Sequence, residues 1–228
     1  MTIDTQQIIR SIINAEDLLS RQAKESTPAF VPVITVSRQC GSQGEAIAEK
    51  LAERLDIPYY NKQLVEKIAA SANVEPELFE QLEQSIRNIK PSWMESLFTQ
   101  RPWLQAKYSD KLVEVLLGIS RVGGVILGRG AGFVLGQASC FRLRIIGSTA
   151  IREERYMGYH QVDREEAEKC VREVDDEREN FVKVLFQQDI NRPEGYDLIV
   201  NSDRIEVDAI VELVLSGIHA MSCNTPSN

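Results

Sequence analysis

A strand, a glycine-containing loop and a helix follow one another within residues 33–52. This succession limits the possible folds of the chain more than any other segment. Its sequence is VITVSRQCGSQGEAIAEKLA, in which the β-branched run at 33–36 is typical of a buried strand. Ile47, Ala48 and Leu51 then recur at the spacing of a buried helix face. Such a loop directs backbone N–H groups and the positive end of a helix dipole towards one point, which predicts a phosphate site.

The rest of the chain alternates short apolar strands with amphipathic helices. This alternation is typical of a parallel sheet buried on both faces, so we predict an α/β fold whose five strands are flanked by helices. The predicted strands after the first are at 59–60, 125–127, 141–146 and 197–200. The predicted helices after the first are at 62–72, 75–85, 108–121, from 149, at 163–188 (one helix or a pair) and at 206–218.

The predicted domain covers residues 31–218, and its length of nearly 190 residues suits one hydrophobic core. Residues 1–30 form an amphipathic helical appendage, for which we favour a contact with a second subunit of a homodimer over packing on its own domain. Residues 86–107 carry both tryptophans and are expected to be an irregular insert. The last segment, 219–228, is a tail.

Composition excludes several classes of partner. The 34 acidic residues outnumber the 26 Lys and Arg, which argues against nucleic acid or an anionic membrane as partner. The four cysteines form no CxxC pair and only two histidines accompany them, so we expect reduced thiols and no zinc site. The first residues lack the pattern of a signal peptide, and no apolar run reaches the roughly 20 residues of a membrane helix. We therefore expect a cytoplasmic protein.

Polar residues follow the predicted strands where parallel sheets bind their ligands, at the carboxyl ends. These residues are Ser37 and Arg38 after the first strand, Asn61 after the second, and Arg129 between two glycines after the third. For Arg129 we favour an anion contact over an ordinary turn, because flanking glycines let the backbone approach a ligand. Asn61 either binds a substrate hydroxyl or base edge, or caps the following helix.

Charged side chains at helical spacing offer a second candidate feature. Arg152 and Arg155 lie three residues apart, and Asp175 and Arg178 repeat that spacing on the next predicted helix. The two faces form either a lid over a polyphosphate or ordinary solvated surfaces held by ion pairs, and the pattern leaves both open.

Two arginines lie inside the fourth predicted strand. Arg142 and Arg144 are two residues apart and so face the same side of the sheet. For both we favour salt bridges with carboxylates over ligand contacts.

Several motifs in matching order resemble one family. The runs ITVSRQCGSQGEAIAEKLAERLDIPYYNKQLV, VILGRGAGFVL, FRLRIIGSTAIREERYM, VDDER and YDLIVNSDRI resemble the cytidylate-kinase-like family of P-loop nucleoside monophosphate kinases. The resemblance covers roughly residues 31–218. It implies a P-loop kinase fold with an arginine-bearing lid at 150–190, and transfer of the ATP γ-phosphate, with Mg²⁺, to a nucleoside monophosphate or a similar small phosphorylated acceptor.

The resemblance also implies roles for individual residues. Asn61 and Arg129 correspond to positions that face the acceptor. Nucleotide-binding positions are Ser37, Arg38, Gly41, Ser42, Gln43, Gly44, Glu45 and Ala46. Positions implied in catalysis are Arg38 and the lid residues Arg152, Arg155, Asp175 and Arg178.

The loop departs from the standard pattern GxxxxGK[ST], in which lysine reaches the phosphates and the hydroxyl holds Mg²⁺. Gly44 stands at the lysine position and Ala46 at the hydroxyl position, while Gln43 and Glu45 replace a glycine and a basic residue of the family's usual loop. Glu45 then repels phosphate, holds Mg²⁺, or points away as a favourable first-turn residue. Ser42 is the hydroxyl left in the loop for a metal.

Three functions follow as hypotheses. The first is an active kinase in which arginines do the work of the missing lysine. The second is a nucleotide-binding sensor or scaffold without turnover, and the third is a structural protein assembled through its N-terminal helix. Arginines at strand ends favour the first two, while Gln43 and Glu45 shift weight from the first to the second.

Overall fold

Five parallel strands run through the part of the chain that the structure describes. The structure is a computed structural model that describes residues 32–61, 63, 65, 102–137 and 139–223. The strands are β1 Val33–Arg38, β2 Tyr59–Tyr60, β3 Gly124–Leu127, β4 Phe141–Ile146 and β5 Leu198–Asn201. Their order across the sheet is β2-β3-β1-β4-β5, and every pairing is parallel. The predicted α/β fold is therefore confirmed.

Helices cover both faces of this sheet. The described helices are α1 Gly44–Leu55, α2 Pro102–Val122, α3 Ala131–Leu135, α4 Thr149–His160, α5 Arg164–Phe186 and α6 Val207–Cys223, with a 3-10 turn at Pro193–Gly195. The longest of them, α5, is one continuous helix rather than a pair. It begins after Asp163, whose side chain accepts a hydrogen bond from the Glu166 N–H at 2.9 Å. Helix α2 begins at Pro102, so the last residues of the predicted insert are helical.

Side-chain alternation along β1 gives the sheet two different faces. Ile34 and Val36 are buried with residues of α1 and α6 on one face. Val33 packs on the opposite face with residues of α2, α3 and α5. Ser37 has the same parity as Val33 and contacts Arg144 on the neighbouring strand β4. The second face therefore carries polar groups at the carboxyl end of β1 as well as the apolar cluster around Val33.

Some sequence predictions lie outside the described residues. They are the N-terminal helix and its dimer contact, most of the helices at 62–72 and 75–85, most of the insert at 86–107, and the end of the tail. Among the described residues, Cys40, Cys140 and Cys170 carry free thiols, as expected. No described helix is long and apolar enough to cross a membrane.

The two arginines of β4 have different partners. Arg142 binds Asp197 through two side-chain nitrogens at 2.8 and 3.2 Å, which confirms the predicted salt bridge. Arg144 has no ion pair within the described residues, so the same prediction is wrong for it. Sequence parity places both arginines on one face, but it cannot say which of them a carboxylate reaches.

Replacing Asp197 by alanine leaves the buried Arg142 without its carboxylate. We expect the free energy of unfolding to fall by about 3–5 kcal/mol, since an unpaired buried charge keeps its desolvation cost. Urea denaturation measures the change. The matched control is Glu212→Ala, which removes the exposed ion pair with Arg54 and is expected to cost less than about 1 kcal/mol. Equal decreases in the free energy of unfolding would show that the Arg142–Asp197 pair stabilises the fold no more than an exposed ion pair does.

Candidate phosphate-binding site

A cavity of about 390 Å³ lies at the carboxyl ends of β1, β2 and β3, and α5 covers it. This is the edge at which the polar strand-end residues were predicted to meet. The predicted site residues that line the cavity are Ser37, Arg38, Glu45, Asn61, Arg129 and Arg178. The structure therefore brings together residues from four separate segments of the chain.

The loop between β1 and α1 takes a shape that leaves helix amides unpaired. Its first bond runs from the Gln39 N–H to the Ile145 carbonyl oxygen at 3.0 Å. Gln43 caps the helix in the left-handed region, at φ 62°, where a non-glycine residue costs roughly 1–2 kcal/mol. The first intrahelical bond is donated by Ile47, so the N–H groups of residues 44–46 have no intrahelical acceptor. This helix end has the donors that an anion needs.

Arg38 explains why no lysine stands at position 44. A Cβ atom added to Gly44 would clash with the Cβ of Arg38, so any larger residue there would displace the arginine. At its far end, Arg38 Nη1 lies 2.6 Å from the place of a Cβ on Gly128. The side chain thus passes over the start of α1 and reaches the turn after β3. One arginine occupies the space that a loop lysine would need and carries its own charge there.

Arg38, Glu45 and Arg178 form a charged cluster at the mouth of the loop. The Glu45 carboxylate lies 2.8 Å from Arg38 and 3.5 Å from Arg178. Two guanidinium groups sharing one carboxylate leave the cluster with an excess positive charge. Within the described residues, Arg38 Nε is buried and has no hydrogen-bond partner. The cluster is therefore prepared for a further anion.

The pKa values of the cluster follow from burial and from these neighbours. Burial raises the pKa of Glu45, but the hydrogen bond and charge of Arg38 and the charge of Arg178 outweigh it, so the pKa lies below its usual value. Burial and the charge of Arg38 lower the pKa of Arg178 to about 10. At neutral pH the carboxylate is ionised and Arg178 remains charged. The unfavourable burial of Arg178 is relieved by any anion placed beside it.

Arg152 and Asp175 fasten the lid helices to the loop. Arg152 is buried and donates to Asp175 at 2.6 Å, to the Cys40 carbonyl oxygen at 3.0 Å and to the Gly147 carbonyl oxygen at 3.0 Å. Asp175 also accepts the Cys40 N–H at 2.7 Å. This amide is therefore bound within the protein. Neither Arg152 nor Asp175 is among the residues that line the cavity.

Arg155 and Ser42 stabilise the loop through hydrogen bonds, and neither residue lines the cavity. Arg155 donates to the hydroxyl and the carbonyl oxygen of Ser202, at 3.0 and 2.7 Å. The Ser202 hydroxyl donates to the Ser42 carbonyl oxygen at 2.9 Å, and the buried Ser42 hydroxyl donates to Gln39 at 2.8 Å. The Ser42 hydroxyl is thus used inside the loop. The described residues hold no group of three His, Cys, Asp or Glu side chains suited to a metal ion.

Arg129 and Asn61 line the cavity from the ends of β3 and β2. The Arg129 backbone is left-handed, at φ 57°, and its guanidinium carbon lies 4.7 Å from the centre of the Phe181 ring. This cation–π contact holds the guanidinium beneath α5. Asn61 lines the cavity, and its backbone carbonyl oxygen accepts a hydrogen bond from Val65 at 3.0 Å. Both alternatives for Asn61 therefore remain.

Sequence reasoning missed part of the cavity wall. Phe181 and Tyr196 line it, although neither was chosen as a site residue from the sequence. The helix α3, which follows Gly130 directly, was also not predicted. For Phe181 the helical periodicity of α5 was the usable signal. Tyr196 begins the run YDLIVNSDRI, which carried the family resemblance but implied no role for this residue.

The fold and the cavity together define a P-loop kinase-like architecture with a nucleotide-binding edge. The sequence profile of the Cytidylate kinase-like family matches residues 33–204. The chain therefore belongs to the cytidylate kinase-like family.

Two kinds of comparison add detail. A uronate isomerase of Corynebacterium glutamicum is 35% identical over 95 residues, which are 41% of this chain and 18% of that protein. The chain thus spans less than a fifth of that relative. Among solved structures, an uncharacterized protein from Eubacterium ventriosum shares the fold, with a TM-score of 0.64 and 19% identity over 83% of this chain and 99% of that one. A gluconokinase from Sinorhizobium meliloti has a TM-score of 0.48 and 16% identity, covering 86% of this chain and 95% of that one.

Replacing Gly44 by alanine tests the position of Arg38. The added Cβ lies 2.4 Å from the Arg38 Cβ, so the arginine must move, and we expect the affinity for inorganic tripolyphosphate to fall about tenfold or more. Isothermal titration calorimetry measures this affinity. The matched control is Gly158→Ala in α4, where a Cβ meets nothing within 4 Å and should leave binding unchanged. Wild-type affinity in Gly44→Ala would show that Arg38 does not hold the anion.

Proposed function

We propose that this protein is an ATP-dependent phosphotransferase that moves the γ-phosphate of ATP to a small phosphorylated acceptor, with nucleoside monophosphates as the first class to test. One observation carries the proposal. The Arg38 side chain runs from the start of α1 to the turn after β3, and it lines a cavity that Arg129 and Arg178 also line. Family membership supports kinase chemistry in general, and the cavity supports the particular roles below.

Phosphoryl transfer depends on positioning and on compensation of negative charge. The N–H groups of residues 44–46 would bind the β- and γ-phosphates of ATP, and Arg38 would supply the cation that lysine gives elsewhere. Arg178 would reach the transferred group from the lid helix α5. Arginine suits both places because its planar fork binds two phosphate oxygens at once.

The acceptor would lie on the opposite side of the cavity. Arg129, held against Phe181, would bind its phosphate, and Asn61 would bind a hydroxyl or a base edge. Both residues come from strand ends distant in the chain from the loop. The two substrates would then approach each other between Arg38 and Arg129.

Other residues of the predicted catalytic set would position the site. Asp175 and Arg152 bind the loop backbone at Cys40, and Arg155 supports it through Ser202. Mg²⁺ would enter with ATP and screen the phosphate charge during transfer. Glu45, in the first turn of α1, is our candidate metal ligand, because the Ser42 hydroxyl is bonded to Gln39.

A nucleotide-binding sensor without turnover is the second candidate. It is favoured by the Glu45 carboxylate, which already lies between Arg38 and Arg178 and competes with phosphate for both. A bound polyphosphate has to displace this carboxylate. This competition would make polyphosphate binding weak and reversible, as a sensor needs. A kinase would have to bind ATP in spite of the same competition.

Incubation with Mg-ATP and a panel of nucleoside monophosphates is expected to yield ADP and the matching diphosphate. In Arg129→Ala we expect kcat/KM to fall about 100-fold or more, because the cation that would bind the acceptor phosphate is lost, while the far-UV circular dichroism is unchanged. The matched control is Arg54→Ala, an exposed arginine at the end of α1, which should retain wild-type turnover.

The outcomes separate the candidates. Thermal stabilisation by ATP without turnover of any monophosphate would favour the sensor. Absence of stabilisation by any nucleotide, with or without Mg²⁺, would contradict both functions.

A further inference from the structure

Arg144 is a buried cation for which the described residues provide no ion pair. It is only 5% exposed, and its guanidinium nitrogens lie 2.8 Å from the Ser37 hydroxyl and 2.9 Å from the Asn191 side-chain oxygen. A third, longer contact joins it to the Tyr196 hydroxyl at 3.5 Å. All three partners are neutral. A buried charge in neutral surroundings retains much of its desolvation cost, which a nearby anion would reduce.

Arg142 provides an internal comparison. It lies on the same strand and the same face as Arg144, is 8% exposed, and donates two side-chain hydrogen bonds to the Asp197 carboxylate. The fold therefore supplies a carboxylate to the arginine farther from the cavity. Arg144 lies opposite Ser37, at the end of the sheet where the cavity begins. Of the two arginines, the one without a carboxylate partner among the described residues is therefore the one nearer the cavity.

Two carboxylates bind Asn191, the side chain whose oxygen contacts Arg144. The Asn191 side-chain nitrogen donates to Glu179 at 3.3 Å, and its backbone N–H donates to Asp189 at 2.8 Å. These bonds fix the amide so that its oxygen faces Arg144. The positive charge is therefore oriented by Asn191 but not neutralised by it.

Ser37 and Tyr196 bring this charge to the cavity surface. Both residues line the cavity, and arginine has no acceptor, so the Ser37 oxygen must accept the Arg144 bond. The Tyr196 hydroxyl donates to the Ile190 carbonyl oxygen at 2.7 Å, which uses its proton. The hydroxyl oxygens of Ser37 and Tyr196 lie 3.4 Å apart, which is a long contact. A stronger acceptor in the cavity, such as an anion, would therefore receive the Ser37 hydrogen bond in its place, polarised by the charge behind it.

We propose that Ser37, backed by the buried charge of Arg144 and bordered by Tyr196, is a subsite for a carboxylate of the acceptor substrate. This inference rests on the proposed function and narrows it. With the acceptor phosphate on Arg129 and the second anion on Ser37, the acceptor would be a small phosphorylated carboxylic acid. Nucleoside monophosphates would fill the phosphate position and leave the second position without its anion.

Matched pairs of ligands test this subsite. The pairs are 3-phosphoglycerate with glycerol 3-phosphate, and phosphoserine with phosphoethanolamine, in which one member carries a carboxylate that the other lacks. Isothermal titration calorimetry gives the dissociation constant of each. In the wild-type protein we expect at least one acid to bind about tenfold tighter than its partner, the range of a charged hydrogen bond.

Variants assign that preference to named residues. In Ser37→Ala and in Arg144→Met we expect the ratio within the pair to fall below about threefold, with most of the loss in the affinity for the acid. Ser37→Ala is the smaller change, so the ratio measured in this variant tests the subsite if Arg144→Met does not fold. Arg54→Ala is the control and should keep the wild-type ratio.

The result also separates this inference from the proposed function. A wild-type ratio near one in both pairs, or no binding of any of the four compounds, would overturn the carboxylate subsite, as would a preference that Ser37→Ala leaves intact. ATP binding is measured in parallel on the wild-type protein. If the protein binds ATP but does not prefer the acids, only the carboxylate subsite is contradicted. If it prefers the acids but does not bind ATP, the phosphotransferase is contradicted and the subsite remains.

Discussion

The shape of the phosphate loop depends on one carboxylate, that of Asp175 in the middle of α5. It accepts the Cys40 N–H at 2.7 Å and a hydrogen bond from Arg152 at 2.6 Å. Arg152 in turn binds the Cys40 carbonyl oxygen, and Gly41 lies so close to the Arg152 backbone that a Cβ would meet its oxygen at 2.3 Å. Loop, α4 and α5 are therefore one interlocked unit. The remaining loop amides and Arg38 take their places because this unit is fixed.

The distribution of charge at the cavity follows from that arrangement. Since Arg152 is used for support, the arginines that line the cavity are Arg38, Arg129 and Arg178, with Arg144 behind Ser37. Arg38 and Arg178 share the Glu45 carboxylate, so their positive charge is only partly neutralised by it. An anionic ligand beside them would compensate the remaining charge. In the proposed function, these two arginines would supply the positive charge that a loop lysine gives elsewhere.

Periodicity and glycine positions report local structure, and they predicted the five strands, the described helices other than α3 and the edge of the sheet at which the cavity lies. It could not distinguish Arg152, which supports the loop, from Arg129, which lines the cavity, because both are arginines in plausible places. That distinction depends on Asp175, a residue distant in sequence whose carboxylate happens to reach Arg152. Tyr196 was missed for the same reason: only the tertiary fold brings it to Ser37.

The account predicts that a polyphosphate takes the place of the Glu45 carboxylate between Arg38 and Arg178. Calorimetric titration of ATP without Mg²⁺ tests this directly, since no metal then screens the charges. Glu45→Gln should bind ATP about three- to tenfold tighter than the wild-type protein, and Arg38→Gln at least about tenfold more weakly. Equal affinities in all three proteins, or weaker binding in Glu45→Gln, would contradict the account.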